Sequence, residues 1–131
     1  MQYLFICLMF ISINAHPVFD AFSCAIRQVQ VVSNDGLLVD RADYQYLVHQ
    51  EFNVDKNTGT IIGAFVTDNI KKQATVIDYG STNQAFKVII AHYPKTTVDL
   101  LLIDTHVTNR QKPFVFIVLG SVFTGLCVTE E

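Results

Sequence analysis

The sequence predicts an all-β fold, an antiparallel β-sandwich or small barrel of about eight or nine strands with one disulfide. Three observations carry that expectation. Short β-rich apolar runs recur at intervals of about 8–12 residues, with Gly, Asn, Asp, Ser or Pro clusters between them. No stretch of helical spacing is long enough to cross over a parallel sheet. Finally, Cys24 and Cys127 stand near the two ends of the β-rich region.

The last apolar stretch, Phe114 to Val128, organises the rest. It carries no charge, yet it is shorter than the roughly 20 apolar residues of a membrane helix. Gly120-Ser121 divides it into two runs, and a Gly-Ser loop suits a type II′ hairpin because Gly takes the positive φ that turn needs. The reading is two buried strands at the centre of a sheet.

The N-terminus has a different grammar. Residues 3–13 form an apolar run followed by Asn14-Ala15 and His16-Pro17, the pattern of a signal peptide cleaved after Ala15; the alternatives are an N-terminal anchor or a buried first strand. Cleavage divides the chain into a 1–15 signal and a single β-domain over 16–131, and removes Cys7. Two cysteines then remain in 131 − 15 = 116 residues. An even count in an exported chain points to a Cys24–Cys127 disulfide pinning the first strand to the last; the alternative is two free buried thiols. Export implies a secreted or periplasmic location, with no stable membrane span after cleavage. The net charge of −3 supplies no basic field, which argues against nucleic acid as a partner.

In order, Cys24 to Val32 is strand-like and stops at Ser33-Asn34-Asp35-Gly36, after which Leu37 to Val39 can pair back. Asp40 to Tyr46 is the most polar part of the chain, a loop with room for one helical turn. Leu47 to Val54 alternates, with Val48, Phe52 and Val54 on one face and His49, Glu51 and Asn53 on the other. Asp55 to Gly59 turns into Thr60–Val66, and Asp68-Asn69 breaks the chain before Gln73–Tyr79. Gly80 to Asn83 turns into Ala85–Tyr93, and Pro94-Lys95 turns into Thr97–Val107. Thr108 to Lys112 then leads to the hairpin.

No catalytic constellation emerges. Asp55-x-Asn57-x-Gly59 resembles the head of a calcium loop, but Gly59, Thr60 and Val66 stand at its fifth, sixth and twelfth positions, so a hairpin turn is the better reading. His16, His49, His92 and His106 do not converge on zinc by spacing; they read as surface or rim histidines, with His92 beside about Val98 and His106 at the far end of that strand. Ser81 and Ser121 look like turn serines outside any Gly-x-Ser-x-Gly. Asp99 and Asp104 are only the loosest of carboxylate pairs. No phosphate-binding Gly loop occurs, and no cofactor or metal is implied. The one oddity is a surplus of apolar residues: Val88 to Ala91 and Leu100 to Ile103 are apolar on both strand faces. Central strands covered on both sides would explain it, and so would an apolar barrel interior or an exposed patch for a partner.

Several features taken together resemble a group of short exported bacterial proteins of unknown function. They are Phe52-Asn53-Val54-Asp55 with Thr58-Gly59 and Gly63, Gly80-Ser81, Phe86-Lys87, Lys112-Pro113-Phe114, and Gly125-x-Cys127, with Cys24 near the start. The resemblance implies export and a bridged β-domain, and it carries no activity, ligand or catalytic residue over to this chain. The functional expectation is therefore a secreted or periplasmic, non-catalytic binding protein. It would present the loops at Asp40–Tyr46 and Thr108–Lys112, with Tyr44, Tyr46 and Arg110, to an unidentified protein. The alternatives are a small β-barrel carrying an apolar ligand, and a hydrolase whose site is assembled from distant residues.

Overall fold

The computed structural model describes residues 20–63, 71–93 and 96–130. The N-terminal stretch expected to be a signal peptide, the Asp68-Asn69 break and the Pro94-Lys95 turn lie outside them. The described residues form one curled antiparallel sheet: β1 (Ala21–Val32), β2 (Leu38–Asp40), β3 (Glu51–Asp55), β4 (Ile61–Gly63), β5 (Lys71–Tyr79), β6 (Phe86–Tyr93), β7 (Thr97–Ile103), β8 (Lys112–Val118) and β9 (Ser121–Glu130). A 3-10 helix, Ala42–Leu47, lies between β2 and β3.

Strand order across the sheet is β4-β3-β1-β9-β8-β7-β6-β5, with β2 paired only to β1. From β5 to β9 each strand pairs with the next in sequence, and β9 then pairs with β1. The described strands thus form a single continuous sheet, of which β4 and β5 are the two ends of the path. Contacts across the curl bring its two sides together. Phe22 of β1 meets Phe86 of β6 at 5.1 Å between ring centroids, and Tyr79 donates a hydrogen bond to the Asn57 carbonyl at 3.4 Å. Gly59 is fixed by the same approach: a Cβ there would lie 2.8 Å from the Val88 side chain, and its φ is +74°.

Alternation decides which side chains fill the interior. Phe86, Val88 and Ile90 of β6, Leu101 and Ile103 of β7, Phe114 and Phe116 of β8, and Phe123 and Cys127 of β9 are buried. A bulge in β1 between Ile26 and Gln28 keeps Val29 inside after Phe22, Cys24 and Ile26. Phe52 stands edge-on to Phe114 at 5.1 Å, and Phe116 lies 6.3 Å from Phe123. Such contacts add about 0.5–1.5 kcal/mol each beyond area burial. The middle of the curl is thus packed with phenylalanine.

Cys24 and Cys127 are direct register partners across β1 and β9, and they form the disulfide expected from the sequence. The bridge closes a loop with a sequence separation of 103. The chain-entropy estimate for such a loop is about 4 kcal/mol.

Local expectations need correction in several places. The β8–β9 hairpin turns at Leu119-Gly120, not Gly120-Ser121, because Val118 pairs with Ser121. Both turn residues have positive φ, +47° and +78°, which defines a type I′ turn rather than type II′. The alternation read from Leu47 begins only at Glu51. Leu47 ends the 3-10 helix, and His49 is left-handed at φ +72°. β7 ends at Ile103, so His106 lies in the following loop rather than on the strand. In the two doubly apolar runs Val88, Ile90, Leu101 and Ile103 are buried inward, whereas Ile89, Ala91, Leu100 and Leu102 on the other face are half-buried.

Candidate functional site

The strand directions give the curled sheet two ends. At one, β1 finishes, β9 begins and the 3-10 helix docks. Arg41 opens that helix, and its backbone N–H donates to the Val29 carbonyl of β1 at 3.0 Å. Gln45 donates from its side chain to the carbonyls of Val29 and Arg41. Leu47 is buried in the core, with Tyr44 and Val48 packed against it. The polar stretch thus becomes a helical turn because an apolar i, i+3, i+4 set can seat on the core at this end of the sheet. Left-handed His49 then returns the chain to β1, its N–H donating to Ile26 at 2.8 Å.

Arg41 ties this end together. Its guanidinium donates to the buried Ser121 hydroxyl at 2.5 Å, pairs with Asp43 at 3.1 Å and lies 3.8 Å above the Tyr44 ring. The Asp43 hydrogen bond raises the Arg41 pKa above its ordinary value and lowers that of Asp43. Tyr44 is half-buried, and Tyr46 stands edge-on to it at 6.3 Å. The Tyr46 side chain itself is 70% exposed.

Beside this helix, the β1–β2 hairpin carries exposed Val32, Leu37, Leu38 and Val39. Val32 pairs with Leu38 and Val31 with Val39, so the hairpin is apolar on both faces. Exposed Leu119, at the tip of the β8–β9 turn, belongs to the same end. Among the described residues β2 pairs with β1 alone.

Arg110 lies at the opposite end, in the loop between β7 and β8. With Lys112, Val128, Thr129 and Glu130 it lines a shallow, open depression. The two loops expected to act together are therefore separated by the length of the sheet: Tyr44 and Tyr46 share one end, and Arg110 is not with them. The Lys112 ammonium donates to the Val107 carbonyl within this second loop.

The remaining candidates resolve into local structure or into the interior. Asp55 accepts the backbone N–H groups of Asn57 and Thr58 at 2.8 and 2.9 Å, an Asx turn that closes the β3–β4 connection. Those two bonds, that of Thr58 foremost, hold its carboxyl below the usual aspartate range. Ser81 caps the turn before β6, accepting from the Asn83 N–H at 3.2 Å. Ser121 is not a turn serine; it is buried and held by Arg41. His92 is not a surface histidine either. It is the register partner of Thr97, and its ring Nε2 lies 2.5 Å from an Asp99 oxygen, the two side chains 11% and 5% exposed. No group of three His, Cys, Asp or Glu that could hold a metal occurs among the described residues. Nor is any described helix long and apolar enough to cross a membrane.

Sequence reasoning missed Arg41 as the tie of the helix and His92–Asp99 as a buried pair. The second had a signal. Asp99 shares strand parity with Leu101 and Ile103 in an otherwise apolar run, a position where a carboxylate needs a partner. No protein family, curated protein or solved structure matches the chain.

Proposed function

We propose that this chain is an exported, non-catalytic binding protein that docks a protein partner at the end formed by the β1–β2 hairpin and the 3-10 helix. The observation that carries the reading is the clustering of exposed apolar side chains there. Val32, Leu37, Leu38, Val39 and Tyr46 are exposed there, and among the described residues β2 pairs with β1 alone. A two-stranded hairpin with exposed apolar side chains does not enclose a small molecule. It can enter a groove on another protein, and an unpaired strand edge offers backbone hydrogen bonds to an added strand. Tyr46 contributes the residue type most suited to interfaces, a large ring held by two torsions.

Export is the setting that suits both the disulfide and the N-terminal apolar run. The apolar-carrier alternative draws less support, because the phenylalanines of the interior pack against one another.

The test places a photo-crosslinking residue at position 46 or at position 110 in the full chain made by a secreting host. Binding at the hairpin end predicts a discrete adduct from position 46, none from position 110, and loss of the adduct when Leu37 and Leu38 are changed to Ser. Equal adducts from both positions, or none from position 46, would remove this surface from consideration. An adduct of twice the chain mass would make the partner a second copy.

A further inference from the structure

The free edge of β2 presents backbone groups that ladder parity identifies. The Arg41 N–H donates to the Val29 carbonyl at 3.0 Å, and the Ser33 N–H donates to the Leu37 carbonyl at 2.8 Å. Val31 and Val39 stand in register between those two bonds. Successive residues of an antiparallel strand turn their N–H and C=O groups alternately to either side. Leu37, Val39 and Arg41 therefore face β1, and the backbone groups of Leu38 and Asp40 face away from it. Among the described residues no strand receives them.

Open edges are ordinarily guarded by lysine, proline or a bulge. β5 opens with Lys71-Lys72 in this way. β2 has no such guard: Leu37, Leu38 and Val39 are 66%, 53% and 42% exposed. An extended segment laid along this edge gains the backbone bonds of Leu38 and Asp40 and covers apolar side chains on both faces of the hairpin.

Charge decides which segment fits. Carboxylates bracket the apolar run, Asp35 before it and Asp40 after it, both exposed. Neither has an ion-pair partner among the described residues. Between Val32 and Leu47 the one cation is Arg41, and its guanidinium is held by Asp43 and Ser121. An added strand lies about 4.8 Å away, so its own end residues come beside these two acids. An acidic segment would meet like charge there. So would a second copy pairing through the same edge, which adds two more carboxylates and no free cation. Lysine or arginine at the ends of the segment answers both acids. We infer, on the reading that this hairpin end is the docking surface, that β2 takes an extended partner segment whose short apolar run is bracketed by Lys or Arg. The apolar run lies beside Leu37–Val39, and the cations meet Asp35 and Asp40.

Two capped peptides test this, acetyl-Lys-Thr-Val-Val-Val-Lys-amide and acetyl-Glu-Thr-Val-Val-Val-Glu-amide. Each is titrated into the full exported chain with its disulfide intact, followed by calorimetry and backbone amide resonances. The basic peptide should bind about tenfold tighter than the acidic one at low salt, since it gains two exposed ion pairs where the other meets like charge. That advantage should shrink as salt is added. The Leu38 and Asp40 amide signals should move, and methylating the backbone nitrogens of the peptide's valines should abolish binding. Asp40→Asn, an exposed change, should weaken the basic peptide severalfold without weakening the acidic one. Equal affinity for the two peptides, no binding by either at millimolar concentration, or binding that survives N-methylation would overturn the inference. A crosslinked adduct of twice the chain mass would overturn it as well, since the occupant would then be a second copy. If any of those results accompanies a discrete adduct with another protein from position 46, the docking surface stands and only the basic segment is lost. With no adduct from position 46, both fall.

Discussion

Leu119 occupies a backbone position that its side chain resists. Its φ of +47°, followed by Gly120 at +78°, belongs to a type I′ turn, where Asn-Gly is the preferred pair. Left-handed backbone costs a Cβ-bearing residue such as Leu about 1–2 kcal/mol, whereas Asn tolerates it. Leu119 is also exposed, so no packing is lost on replacing it. Leu119→Asn should therefore stabilise the chain by about 0.5–1 kcal/mol, read as a higher urea midpoint at unchanged slope. Asp55 yields a pH-dependent counterpart. Its carboxyl is held below the ordinary range by the Thr58 and Asn57 N–H groups. A lowered folded-state pKa adds stability above the unfolded value, and that stability fades as pH falls through the folded one. The advantage of the wild type over Asp55→Asn in urea unfolding should thus be present at neutral pH and shrink under acid. A gap that stays constant with pH would contradict this account of the turn.

At the scale of elements, the sequence was most legible where alternation met a buried face. β6 and β7 lie where their apolar periodicity puts them, and the β1–β2 return was signalled by Ser33 to Gly36. Legibility failed where tertiary contacts overrode a local pattern. Val48 alternates correctly with Phe52, yet the strand cannot begin there, because Leu47 and Tyr44 are drawn onto the core as a helical turn. The Gly120-Ser121 loop was misplaced by one residue because Ser121 is needed inside, under Arg41. Tyr44 and Tyr46 were recognised by composition and do sit on one element. Grouping them with Arg110 failed because spacing cannot say at which end of a sheet a loop emerges. Arg41 supplies the measurable consequence. Arg41→Ala removes the Ser121 bond, the Asp43 pair and the stacking on Tyr44 while leaving the sheet untouched. Hydrogen exchange should accelerate selectively over Ala42–Val48, with about 1 kcal/mol lost locally. An unchanged exchange pattern there would mean that the seating of Leu47 alone holds the helix.

For the whole molecule, the central claim is a sheet curled on itself and stapled where its first strand meets its last. β1 and β9 run beside each other over their length, and the Cys24–Cys127 bridge crosses that seam. Because the bridge spans most of the described chain, its loss should cost about 4 kcal/mol in the loop-entropy picture, enough to leave a domain of this size marginal. The position of the seam also explains why the two cysteines lie so far apart in sequence: an up-and-down sheet returns its last strand to its first. The most direct test is the intact mass of the chain exported by a secreting host, before and after reduction. The account predicts a chain beginning at His16 and two hydrogens lighter until reductant is added, with the unfolding midpoint dropping on reduction. An uncleaved chain with free thiols, equally stable in both conditions, would contradict both the export and the stapled seam.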